Sequence, residues 1–192
     1  IAGITGGQAV ITTASDSQDL TALDVLAKSY GWKMDAHSRL AAVMAAMVNS
    51  EPVGLIRDAD VNSPPEVSAL PWAETFSAWD ADVSRRYGYF VRITCRSIPS
   101  SFWQEAPASV VCYPPVLVLG VGCNRGTPGD EIRTAIQETL SKNGLAIESV
   151  ASVATITEKA GEPGLVELCK LMGWQMLVFS HEQIQQIATH IP

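Results

Sequence analysis

The sequence predicts an α/β fold, with a doubly wound, mainly parallel sheet in the C-terminal half and a smaller α/β unit in the N-terminal half. Two rhythms predict it. After Pro115, short β-branched runs alternate with amphipathic helical periods, the pattern of a parallel sheet joined by right-handed crossovers. Before Asp60, the apolar positions read as strand, helix, helix, strand. The division this suggests is residues 1–110 for the first region, including an irregular connector rich in proline and tryptophan, and 116–192 for the second.

In chain order, "QAVITT" is β-branched and predicts a strand. Asp16, Ser17 and Asp19 then offer capping oxygens to a helix carrying Leu20, Leu23, Leu26, Ala27 and Tyr30, stopped by Gly31. Leu40, Val43, Met44 and Met47 share one face of a second helix that ends near Asn49, and Pro52 leads into the strand "VGLI". Between Asp60 and Pro115 lie three of the five tryptophans and one clear strand, "YFVRITCR". Its period places Arg92 and Arg96 opposite Val91, Ile93 and Cys95, just after Arg85 and Arg86. That basic face reads first as solvated, second as a contact for carboxylates.

Beyond Pro115, "VLVLGV" reads as a buried strand and residues 128–142 as a helix through Ile132, Ala135, Ile136 and Leu140, stopped at Gly144. "IESVASVATI" follows as a strand. Pro163 opens a helix that turns Leu165, Leu168, Cys169 and Met172 inward and ends at Gly173. "QMLVF" is the next strand, and Ser180 with Gln183 forms a capping box for a last helix bearing Ile184 and Ile187.

Composition narrows the function. A chain of 192 residues, 47% hydrophobic, buries a real core. Its net charge of −7 and pI near 4.9 disfavour nucleic acid and anionic membranes as partners. An anionic small molecule remains compatible where basic residues gather. No apolar run approaches the ~20 residues a membrane span needs. The four cysteines lack CxxC spacing and read as reduced thiols of a cytoplasmic protein. The chain opens on Ile1 and closes on Pro192, which reads as a fragment of a longer protein.

Two loops carry chemistry, and both fall at carboxyl ends of predicted parallel strands, where open α/β sheets bind ligands. In "GVGCNRGTPGDE", Thr127, Pro128 and Asp130 are accounted for as helix-start residues, with Thr127 the cap and Asp130 closing the box. Gly120, Gly122 and Gly126 let a backbone approach a ligand, the helix N-terminus favours an anion, and Arg125 offers a bidentate grip on a carboxylate or phosphate. The spacing fits neither the dinucleotide fingerprint nor the phosphate loop. Cys123 reads as a buried thiol, or as a nucleophile if Arg125 and the helix stabilise its thiolate. His37, His181 and His190 all stand far from it in sequence.

In "TITEKAGEPGL", Glu158, Lys159 and Glu162 place two carboxylates and an ammonium within a few residues. Such proximity can tune a general acid or base. The ordinary alternative is a favourable charge at a helix start and a solvated ion pair. No run has metal-ligand spacing.

"VLVLGVGCNRGTPGDEI" followed by "SVATITEKAGEPGLVELCKLMGWQMLVFS" resembles the C-terminal domain shared by CbiG and CobE proteins of cobalamin biosynthesis. "AVITTASDSQDLTALDVLAKSYGW" resembles the central region of CbiG, which favours that family. The resemblance implies a cobalt-precorrin-5A hydrolase, which opens the ring A lactone and releases acetaldehyde to give cobalt-precorrin-5B. The alternative is a carrier of corrinoid intermediates resembling CobE. It further implies no cofactor of the protein's own, cobalt arriving within the substrate, and neighbouring pathway methyltransferases as partners. On this reading Gly122, Cys123, Arg125, Gly126, Thr127 and Lys159 bind substrate. Glu162 is the first choice of general base and Glu158 the second. Thr12, Thr13 and Asp16, within "ITTASD", would line the cleft.

Overall fold

The computed structural model describes residues 22–58, 61, 73–77, 81–106 and 108–188. The predicted strand "QAVITT", its following caps, and the site residues Thr12, Thr13 and Asp16 lie outside them.

The N-terminal unit is built on a five-stranded sheet ordered β1-β5-β4-β2-β3. Its strands are β1 (Lys33–Met34), β2 (Val53–Arg57), β3 (Ala73–Phe76), β4 (Tyr89–Ile93) and β5 (Ser109–Tyr113). All pairings are parallel except β1 with β5. Helices α1 (Leu23–Ser29) and α2 (Leu40–Val48) cover one face, packing Leu23, Leu26, Val43 and Met47 against Leu55, Val91, Ile93 and Val110. Helices α3 (Ala81–Arg86) and α4 (Ser100–Glu105) cover the other, packing Val83 and Phe102 against Ile56, Phe90 and Val111. The chain passes from β2 to β3 on one side and then returns to place β4 on the other, so the sheet is wound in both directions.

The C-terminal unit holds β6 (Leu117–Gly120), β7 (Val150–Ile156) and β8 (Gln175–Phe179), all parallel and in chain order. Helix α5 (Gly129–Lys142) links the first pair, α6 (Pro163–Met172) the second, and α7 (His181–Ala188) follows. Right-handed crossovers between strands that advance in one direction put both helices on one face. Accordingly Ile132, Ile136, Leu165 and Leu168 share one cluster with Val153.

Three expectations are corrected here. The α/β class stands, but double winding appears in the N-terminal unit, while the described C-terminal strands show no reversal. Among the described residues the N-terminal unit also carries the larger sheet, five strands against three. Arg92 is not solvated: it lies 3.5 Å from Asp58, with both side chains largely buried, and its guanidinium covers the Phe102 ring at 5.5 Å. Among the described residues no helix is long and apolar enough to cross a membrane, and all four cysteines are free thiols.

The units join along a short segment after α5. Ala146 N–H donates to Cys95 O (2.8 Å), Ser97 N–H to Gly144 O (3.0 Å), and Arg96 bridges Leu145. This segment precedes β7. The N-terminal unit therefore meets the amino end of the C-terminal sheet, about 20 Å, the length of β7, from its carboxyl edge.

Candidate functional site

Because β6 and β7 are adjacent and parallel, the turn after one and the loop after the other emerge at the same edge. The turn is rooted by Val121 N–H on Ala154 O (2.8 Å) and by Thr155 Oγ1, which donates to Val121 O (2.8 Å). Gly126 has φ +74°, a left-handed backbone that glycine adopts without steric cost. Thr127 does not cap the helix as the sequence suggested. Its hydroxyl donates to Asn124 O (3.0 Å) within the turn, α5 begins at Gly129, and Asp130 pairs instead with Arg133 at 3.0 Å. The N-cap position falls instead on Pro128, one residue later than the capping box required.

The second loop, a single turn of 3-10 helix (Thr157–Lys159) running on to Glu162, is tied to β8 by Thr157 Oγ1 donating to Phe179 O (3.3 Å). Glu162 precedes α6, yet its side chain makes no bond to its own helix. It reaches the other loop. Gly126 N–H donates to Glu162 Oε2 at 2.8 Å, and Lys159 Nζ lies 3.7 Å from Oε1. The carboxylate is 8% exposed as part of its residue; each oxygen has its own partner, which offsets the desolvation of a buried charge.

The structure thus brings Gly122, Cys123, Arg125, Gly126, Thr127, Glu158, Lys159 and Glu162 to one edge. Arg125 is exposed and forms no ion pair among the described residues. Glu158 is exposed, 3.4 Å from His181 Nε2. Sequence reasoning missed His181 because it lies far along the chain. The available signal was the capping box: it fixes residue 181 in the first turn of a helix at the carboxyl end of β8, the strand beside β7. That box is present in both directions, Ser180 N–H to Gln183 Oε1 (2.8 Å) and Gln183 N–H to Ser180 Oγ (3.3 Å).

Beside the turn, between β6 and α5, runs a groove of about 470 Å³ lined by Leu119, Cys123, Asn124, Thr127, Ile132 and Ile136, among others. Cys123 is half-buried there and packs on the apolar cluster of this unit. A second depression, about 670 Å³, lies over the facing starts of α5 and α6. Among the described residues, no group of three His, Cys, Asp or Glu side chains is placed to hold a metal.

Residues 117–192 match the family model for the cobalamin synthesis G C-terminus, and residues 21–115 match that for the cobalamin biosynthesis central region. The chain belongs to the CbiG family. It is 29% identical over 185 residues to the cobalt-precorrin-5A hydrolase of Priestia megaterium, covering 95% of this chain and 50% of that protein. With the cobalt-precorrin-5A hydrolase of Salmonella typhimurium strain LT2 the identity is 26% over 197 residues, covering 100% and 54%. The chain spans about half the length of these CbiG relatives. A crystal structure of a cobalamin biosynthesis protein G homolog from Sulfolobus solfataricus aligns over 96% of this chain and 49% of that one, at 15% identity and a TM-score of 0.32. At that score the fold assignment rests on the chain's own strands and helices.

Proposed function

We propose that this CbiG chain carries out the hydrolysis of cobalt-precorrin-5A: ring A lactone opening, then loss of acetaldehyde, giving cobalt-precorrin-5B. The names of the two relatives support the substrate. The observation that carries the site is the bond between Glu162 and Gly126, which makes the two loops one structure.

The chemistry has two steps. Water adds to the acyl carbon and the ring C–O bond breaks, leaving a carboxylate and a hydroxyl. The hydroxyl then loses its proton as the adjacent C–C bond breaks; acetaldehyde departs, and the macrocycle takes the electron pair and regains a proton. A base and an oxyanion partner are needed. Glu162 has both oxygens engaged, so its role is to hold the turn against Lys159. Glu158, exposed and beside His181, is the carboxylate free to take a proton. Arg125 holds a substrate carboxylate, and Lys159 steadies the oxyanion. Cobalt enters within the substrate, and the protein contributes no cofactor of its own. The reading places the protein in the cytoplasm beside the methyltransferases of the pathway.

The test is anaerobic incubation of the chain with cobalt-precorrin-5A, trapping acetaldehyde. Stoichiometric release supports the proposal. Binding seen as a shift in the corrinoid spectrum, with no release, would assign a carrier role; neither would overturn the reading.

A further inference from the structure

Helices α5 and α6 meet backbone to backbone at their first turns. A Cβ built on Gly164 would stand 2.2 Å from Thr127 O and 2.8 Å from Gly129 N, and one on Gly129 would stand 2.9 Å from Gly164 O. Real Cβ atoms do not approach backbone so closely, so no other residue fits at Gly164 unless the turn moves. This requirement is steric: neither glycine has a left-handed φ. Thr127 follows Gly126, whose N–H is held by Glu162, and Gly164 lies two residues beyond Glu162. The glycine contact and the carboxylate bond thus fix the same pair of loops from two directions.

We propose that Gly164 is a positioning residue for the reaction proposed above, on which this inference rests. By admitting the Thr127 carbonyl, it sets the distance between the turn carrying Arg125 and the loop carrying Glu158 and Lys159. It selects a substrate whose carboxylate and lactone span that distance.

The experiment compares Gly164→Ala with Gly129→Ala, a milder intrusion at the same contact, and with Val150→Ala, a core truncation at the far end of β7. Two readouts are taken on the full chain: exchange protection of the Gly126 amide, and KM and kcat for cobalt-precorrin-5A. Gly164→Ala is expected to lose Gly126 protection and to lower kcat/KM about 100-fold, the scale of a 1 Å misplacement. Gly129→Ala should show the same pattern more weakly. Val150→Ala should lower the melting temperature while leaving Gly126 protection and KM at wild-type values. Wild-type protection and KM in Gly164→Ala would overturn the proposal, as would an equal loss in Val150→Ala. If the wild-type chain neither binds nor converts the substrate, the functional reading falls. Amide exchange then decides the positioning role alone, and retained protection in Gly164→Ala overturns it.

Discussion

Glu162 is informative because replacing its charge and replacing its acceptor are separable. Glu162→Gln keeps an oxygen for Gly126 N–H but gives up the charge facing Lys159, whereas Glu162→Ala also strands the amide. We expect the first to cost about 1 kcal/mol and the second about 2–3 kcal/mol in urea unfolding; equal costs would mean that the Gly126 bond contributes nothing. Glu158→Gln, at an exposed site, should leave stability within ~0.5 kcal/mol while abolishing acetaldehyde release and preserving binding. Turnover at the wild-type rate would remove Glu158 from the mechanism. Elsewhere, Asp35 gives a pH signature. Burial pushes its carboxyl up, but hydrogen bonds from the His37 backbone and ring and from the Tyr113 hydroxyl outweigh this and hold it below 3.8. A depressed folded pKa stabilises the fold above the unfolded value, and the benefit disappears as pH falls through the folded one. Tyr113→Phe should therefore cost about 1–2 kcal/mol at pH 7, with the difference from wild type shrinking below pH 3.8; a difference constant down to pH 2 would exclude the linkage. The sequence showed that Glu162 and Gly126 were unusual residues. It could not show that they were partners, because 36 residues separate them and only the parallel pairing of β6 with β7 brings them together.

Among the elements, those with explicit start and stop signals were legible. Gly31, Gly144 and Gly173 all take positive φ just past a helix, as their positions implied. The Ser180–Gln183 box begins α7 as written, and Ser180→Ala should cost about 1 kcal/mol, read as faster amide exchange confined to residues 181–184. Uniform exchange changes through the C-terminal unit would contradict a local cap. The unread elements lacked such punctuation or were obscured by it. β5, "SVVCY", is buried at every position. A short apolar run of that kind has no period to distinguish strand from helix, and the prolines around it suggest a loop. β3, "AETF", is a half-exposed edge strand with polar residues at its centre. Among the described residues it pairs only with β2, so little in its own composition demands burial. Missing these two strands made the N-terminal unit look small and hid its reversal of direction.

For the whole molecule, the decisive contact is the segment from Leu145 to Ser149. It belongs by sequence to the C-terminal unit, yet Ala146 is buried among Ile56, Phe102 and Tyr113 of the N-terminal one. Its N–H satisfies Cys95 O just past β4. Coupling of this kind, through hydrogen bonds from Ala146 to Cys95, Ser97 to Gly144 and Ser149 to Thr94 and through the packed Ala146 methyl, should make the two units unfold together. Ala146→Pro tests it. At φ −88° the backbone is near what proline tolerates, so the substitution mainly removes the N–H that donates to Cys95 O, a loss of about 1 kcal/mol. Calorimetry of the wild type should give one transition. The variant should give two, with the N-terminal unit melting first, since it loses the cover over Ile56, Phe102 and Tyr113 while the C-terminal core of α5, α6 and β7 is untouched. Protection of the Gly126 amide should survive that first transition, because the loops stand a full strand's length from the junction. If the variant still melts in one step at the wild-type temperature, the units are coupled elsewhere; if Gly126 loses protection in the first step, the loop pair depends on the N-terminal unit and the site cannot be assigned to the C-terminal sheet alone.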